Sequence, residues 1–200
     1  MARGIVDFDA LKGPEIQKLK SVKGKDTPFV LTKIGHVVLK VSDIDRSVDF
    51  YSRVLGMTVS DAYPESMMPG KMVFMRFSSD HHGVALIGGA SDGAKMQEMH
   101  HMAFEVDTID EVFRARDHLT REGVKIFFQG RRRAGAQIAV EFQDPDGHCL
   151  EIYWGLDQLT KDEAARPPEE WREVFSLEDA VDNAPPGQDT ALADPSLRKE

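Results

Sequence analysis

Three histidines and one glutamate in this chain stand where they could do chemistry together. His36 and His101 each open a short apolar run, in GHVVLKV and HHMAFEV, where an imidazole adds nothing to strand propensity and is costly to bury without partners. Glu151 lies inside a third run, HCLEIYW, and His82 in the turn SSDHHG ahead of a fourth. Two imidazoles and one carboxylate that leave adjacent positions open form the facial set used by non-haem Fe(II) for oxygen chemistry. The single cysteine, Cys149, excludes an intramolecular disulfide and a thiolate zinc cluster, so a metal site here is built from His and carboxylate.

The elements that must position these residues come from an internal repeat. GHVVLKVSDIDRSVDFYSRVLGM, from Gly35, matches HHMAFEVDTIDEVFRARDHLTREGV, from His100, at an offset of 65 residues. Each copy reads as a strand whose alternate residues pack (Val37, Leu39, Val41; Met102, Phe104, Val106), opposite a face that begins with histidine. A helix follows, entered at Ser42 or Asp43 and at Asp107 or Thr108, and left at Gly56 and Gly123. The expected apolar stripes are Ile44, Val48, Tyr51, Leu55 and Ile109, Val112, Phe113, Leu119. Three strand-like runs complete each copy: MTVSDAY, KMVFMRF and HGVALIG, then KIFFQG, AQIAVEF and HCLEIYW. The predicted fold is α+β, two paired β-α-β-β-β modules (about 33–90 and 98–154) forming an open, cup-shaped mixed sheet around a metal site. The same offset pairs Glu151 with Leu86, which has no metal donor and leaves a coordination position free. By period two, His82 and Val84 share the face of Leu86, which makes His82 the expected acid or base beside the metal and turns His81 away. His148 reads as a turn residue, His100 as the lesser of its doublet because the offset pairs it with Gly35, and Cys149 as a small packing residue on the face of Glu151.

Outside this central unit, 32–154, the composition changes. Residues 1–31 are Lys-rich and read as a solvated arm. Residues 155–200 carry twelve Asp and Glu against five Lys and Arg, and read as an acidic extension, helical around PPEEWREVF and disordered over about the last fifteen residues. The formal net charge of −9 argues against nucleic acid or an anionic membrane as partner and favours a small molecule. No segment reaches the roughly 20 apolar residues of a membrane span. The opening MARGIVDFDA lacks the order of a signal peptide, so the expected location is cytoplasmic. A homodimer is the expected assembly, and the half-units can close within one chain or exchange between copies.

The runs GHVVLKVSDIDRSVDFYSRVLGM, HHMAFEV and DPDGHCLEIYW resemble the vicinal oxygen chelate superfamily of glyoxalases, bleomycin- and fosfomycin-resistance proteins and dioxygenases, and within it the metal-binding half of type I extradiol ring-cleaving dioxygenases. That resemblance implies Fe(II), alternatively Mn(II) or another divalent metal, held by His36, His101 and Glu151. It implies an aromatic substrate with vicinal oxygens, O₂ as co-substrate, and His82 handling protons. At the place of a substrate-contacting family tyrosine stands Glu141, a candidate catalytic residue read as an interior acid or as a charge on an edge strand, and the place of a family histidine falls near Arg132 or Arg133. The run Arg131–Arg133 reads as an exposed loop or as an anion-binding feature. The alternatives within the same family are a Lewis-acid lyase or transferase of the glyoxalase or fosfomycin-resistance kind, and a binding protein without turnover.

Overall fold

Alternating burial builds the opening strand of each repeat. In β1 (Val37–Lys40) Leu39 is buried, as is Val41 just beyond it, while Val38 and Lys40 are exposed; β5 (Met102–Glu105) alternates in the same sense. The structure is a computed structural model in which residues 6–23, 33–91, 100–159 and 164–199 are described. Asp43 caps α3 (Ile44–Arg53) by accepting the Arg46 N–H at 3.0 Å, and Thr108 forms a capping box with Glu111 at the start of α4 (Ile109–Arg121). Both helices hand over to Gly56 and Gly123 at φ of +67° and +70°, a conformation that favours glycine. Phe50 and Val54, absent from the expected stripe of α3, are buried, whereas Ile44, Val48 and Leu55 are only partly so. The helix is thus rotated slightly from the predicted face.

Strands β2 (Thr58–Tyr63), β3 (Met72–Arg76) and β4 (Val84–Ile87) complete the first module, and β6 (Ile126–Arg131), β7 (Ile138–Gln143) and β8 (Cys149–Trp154) the second. The sheet orders are β1-β4-β3-β2 and β5-β8-β7-β6. The first two strands of each order are parallel and the other neighbours antiparallel, giving the expected mixed sheets. A helix covers one face of each sheet and leaves the other open. Buried residues of both modules, among them Leu39, Met75, Leu86, Phe113, Phe142 and Leu150, form one core.

The N-terminal residues form α1 (Phe8–Lys12) and α2 (Pro14–Lys20), neither with a buried residue. The acidic extension departs from the expected disorder. It packs against the second module through α5 (Leu177–Asp182), whose Leu177 and Ala180 are fully buried. The anchor is Arg131 of β6, itself fully buried. Its guanidinium donates to the carbonyls of Ala136 (3.2 Å), Ala180 (2.5 Å) and Asn183 (2.8 Å) and to the Gln188 side chain (3.0 Å). Burial lowers its pKa to about 10, with the charges of Arg166 and Arg172 adding to the effect. Val174 bridges Arg131 as one rung of antiparallel strand, and Gly130, at φ +130°, leaves room for the Val174 carbonyl where a Cβ would stand. Arg116 holds Glu178 at 2.7 Å and the Leu197 carbonyl at 2.8 Å, so the acidic residues of the tail have partners waiting on α4.

Candidate metal centre

Strand register fixes which side chains share the open face. Across the second module, Ala103, Glu151, Glu141 and Phe128 stand in one row; across the first, Val38, Ala85, Phe74 and Asp61 do. The residue structurally equivalent to Glu151 is therefore Ala85, at an offset of 66, because Val38 pairs with Ala85 just as Ala103 pairs with Glu151. Leu86 pairs with Leu39 and Val73 and is fully buried on the helix side, so the position assigned to it belongs to its neighbour. The one-residue slip arises because the connections ahead of the last strand differ in length between the copies, and in a strand one residue reverses the face. The fourth position remains without a donor.

Glu151 is 3% exposed. Its Oε2 lies 3.3 Å from His101 Nε2, and its Oε1 is buried with no hydrogen-bond partner. Burial, and then the charge of Glu141, push this carboxyl above the usual carboxylate range, while Gln137 and Arg132 pull the other way. A buried carboxylate oxygen without a donor is expensive, and a cation is the partner that would satisfy it. His101 in turn has Nδ1 within 2.8 Å of His100 Nδ1, which leaves its Nε2 directed at Glu151. His100, read as the lesser of the doublet, is thus the residue that orients its neighbour.

The first module repeats this device. His81 Nδ1 lies 3.1 Å from His82 Nδ1, and the His82 ring packs on His36 with centroids 4.6 Å apart and on the edge of Phe74 at 5.0 Å. His82 reaches the open face from the turn, although Val84 and Leu86, its period-two neighbours, point into the core; Gly83 breaks the alternation between them. Burial pushes His82 below the ordinary imidazole range, and the neighbouring His36 and His81 add to this. The chain therefore gathers His36 with His82 and His101 with Glu151. Among the described residues no three His, Cys, Asp or Glu side chains converge on one point.

Glu141, in register with Glu151, is engaged by Arg132 through two hydrogen bonds of 2.8 and 2.7 Å, and the guanidinium lies 3.5 Å above the Phe128 ring. It is a neutralised acid forming one wall of the face. Arg133 holds Glu173 of the extension at 3.0 Å. With Arg131 buried, none of the three consecutive arginines is an exposed loop charge, and each already has its acceptors.

A second polar group, missed in the sequence, ties the modules together. Asp144 accepts from the Tyr51 hydroxyl at 3.1 Å and lies 2.6 Å from His148 Nδ1, while Asp146 accepts from the Ser42 N–H at 2.9 Å. His148, read as a turn residue, is buried. Burial lowers its basicity, but the hydrogen bond and charge of Asp144 outweigh this and hold it above the ordinary imidazole range. The DPDG run was the available signal, since a buried imidazole so close to aspartates is an ion-pair candidate.

Comparison with known proteins follows these features. Residues 33–152 match the Glyoxalase/Bleomycin resistance protein/Dioxygenase superfamily. A 3-methylcatechol 2,3-dioxygenase of Pseudomonas putida is 28% identical over 131 residues, 64% of this chain and 44% of its own length. A biphenyl-2,3-diol 1,2-dioxygenase 2 of Rhodococcus globerulus is 32% identical over 141 residues, 66% of this chain and 67% of its own. The chain thus spans under half of the first relative and about two thirds of the second. A fosfomycin resistance protein of Listeria monocytogenes shares the fold at a TM-score of 0.52 and 19% identity, covering 63% of this chain and 95% of that one. With its two βαβββ modules and its matched span, the chain belongs to the Glyoxalase/Bleomycin resistance protein/Dioxygenase superfamily.

Proposed function

We propose that the protein is a metal-dependent dioxygenase of the extradiol type, which cleaves a catechol-like aromatic diol with O₂. The observation that carries this reading is the Glu151 carboxylate, buried beside His101 with one oxygen unpartnered. A resident cation would supply that oxygen with a charged partner, which the neutral Gln137 amide beside it does not. His36, His101 and Glu151 would hold a divalent metal, Fe(II) or alternatively Mn(II). A 2-His-1-carboxylate metal supplies adjacent open positions at which two vicinal oxygens and O₂ can meet.

The chain's own residues do the rest. His82, which burial and the neighbouring His36 and His81 hold below the ordinary imidazole range, favours its neutral form and can accept a proton from a substrate hydroxyl. With Nδ1 turned to His81, Nε2 is the nitrogen left for that proton. Phe74 borders the open face in the row of Ala85, giving a planar ring an apolar wall. Ala85 carries no donor to occupy the remaining coordination position. The similarity to diol-cleaving relatives supports this chemistry.

Oxygen uptake with a panel of catechols, after anaerobic loading with Fe(II), Mn(II) or Zn(II), tests the reading. Consumption of O₂ with a coloured ring-opened product is expected from the Fe(II) or Mn(II) form. Turnover of a thiol adduct by the Zn(II) form, with no O₂ consumed on any catechol, would replace it by the Lewis-acid alternative.

A further inference from the structure

The three consecutive arginines divide between the extension and the open face. Val174 exchanges both backbone hydrogen bonds with Arg131, each at 3.1 Å, and Arg133 holds Glu173 at 3.0 Å. Between these two fixed points the Arg132 side chain goes instead to Glu141, donating through Nε and Nη2 to the two carboxylate oxygens. Its guanidinium lies 3.5 Å from the centre of the Phe128 ring, and Phe128 meets Phe175 of the extension edge-on, with centroids 6.2 Å apart. The extension therefore braces Arg132 through both chain neighbours and through its stacking partner. A planar fork engages both oxygens of Glu141 at once and fixes the plane of the carboxylate, which a point charge does not.

Glu141 needs that restraint because of where it stands. It lies directly opposite Glu151 on the neighbouring strand, and side chains so paired have Cβ atoms about 5 Å apart. Two carboxylates at that spacing can take one cation between them. Glu151 presents a buried oxygen without a partner, and after burial the charge of Glu141 is the next cause that raises its pKa, so the two acids already interact. A released Glu141 would offer a cation on Glu151 a further protein donor. A facial set of two imidazoles and one carboxylate works through its open positions, and a second carboxylate fills one of them. It would also move the site toward the oxygen-rich coordination that suits Mg(II), Ca(II) and Mn(II). We propose that Arg132, braced by the C-terminal extension, is a positioning residue that holds Glu141 off the cation and keeps the centre at three protein donors. The inference rests on the metal-site reading above. Arg132 acts through Glu141 and is not itself a catalytic residue. The first module, with Phe74 at the place of Glu141, has no acid there to restrain.

Mn(II) binding to the full chain tests this, by equilibrium dialysis for affinity and by water-proton relaxation for the number of exchangeable waters on the bound ion. Arg132→Met keeps an apolar side chain on Phe128 and frees Glu141. It should bind Mn(II) roughly tenfold more tightly than wild type, with one bound water fewer, on the scale of changes made around a metal's ligands. Adding Glu141→Gln to Arg132→Met should return both readings toward wild type, which would not happen if Arg132 served the fold alone. Arg132→Lys, which keeps the charge and loses the fork, should fall between wild type and Arg132→Met, and it carries the test where Arg132→Met folds poorly. Arg131→Ala, which releases the extension, should tighten Mn(II) binding in the same direction; wild-type affinity there overturns the bracing role of the extension. Mn(II) bound by wild type, and no more tightly by Arg132→Met or Arg132→Lys, overturns the proposal and leaves the metal reading standing. No Mn(II) on wild type or on either variant overturns the metal reading and the proposal together.

Discussion

The two modules share a scaffold and differ in what they place on it. Along one row of the open face the first module presents Val38, Ala85 and Phe74 where the second presents Ala103, Glu151 and Glu141. Two carboxylates thus stand side by side in one copy, at positions that are apolar in the other. Glu141 is neutralised by Arg132, while Glu151 is left with one oxygen unpartnered. The repeat supplies a pair of equivalent strand positions, and its unequal side chains put a carboxylate at one, Glu151, and a donor-free alanine at the other, Ala85. The second module also carries the extension anchored on Arg131, so the copy that holds the strained carboxylate is the one reinforced from outside.

The largest effect expected from erasing this difference is at Glu151. Glu151→Gln should reduce retained metal to background in equilibrium dialysis, since a ligand is lost and not merely its supporting partner. The same change should raise the melting temperature of the metal-free protein, because a buried, half-partnered carboxylate is removed. The pH dependence has a definite sign. The folded carboxyl titrates above its unfolded value, so its stabilising contribution is present below the unfolded pKa and is lost as pH rises through the folded one. Metal-free wild type should therefore lose stability over that interval relative to Glu151→Gln, and loading with metal should abolish the difference. Retention of metal by Glu151→Gln would remove the distinction between the modules.

Next in size is His82 of the first module, the residue proposed to handle protons. His82→Ala should lower turnover by roughly 10² to 10⁴ while metal content stays near wild type, on the usual scale for a general acid or base. Loss of metal together with activity would make His82 a ligand, and the first module would then supply two donors.

The architecture was legible because both periods are strong: alternation set the faces of β1 and β5, and the Asp43 and Thr108 caps set the starts of their helices. The positions of His101 just ahead of β5 and of Glu151 within β8 were legible for the same reason, since the short count from each strand start is robust. Leu86 was misplaced because a fixed offset carries no information about unequal loops, and one residue of error reverses a strand's face. The tail was misread because composition measures average charge, whereas its order depends on Arg131 and Arg116, distant residues whose donors match its carbonyls and carboxylates. The orienting roles of His81 and His100 could be suspected from their doublets, but Nδ1-to-Nδ1 contacts become visible only in three dimensions.

The extension gives a smaller effect that sharpens the contrast between the copies. Arg131→Ala leaves the buried carbonyls of Ala136 and Ala180 and the partly buried acceptors of Asn183 and Gln188 without their donor, and at about 1–3 kcal/mol for each unsatisfied buried group the loss should be roughly 2 kcal/mol or more. Limited proteolysis should then cut within residues 164–199 before the modules. Equal protection of the tail in Arg131→Ala and wild type would show that Leu177 and Ala180 suffice to hold it.

The smallest effect belongs to the joint between the modules. Tyr51→Phe removes only the hydroxyl that donates to Asp144 at 3.1 Å, and Asp144 keeps His148 as a partner at 2.6 Å. The expected cost is about 1 kcal/mol, read from urea unfolding with an unchanged slope. It should depend on pH through His148. That imidazole titrates above its unfolded value, so its stabilisation is full below the unfolded pKa and fades as pH rises through the folded one. Where His148 is charged, Asp144 has a cationic partner and the loss of Tyr51 matters least; above that interval the tyrosine is the larger share of what Asp144 has left, and the penalty of Tyr51→Phe should grow. A penalty independent of pH would mean that the tie between the modules does not pass through the Asp144–His148 pair.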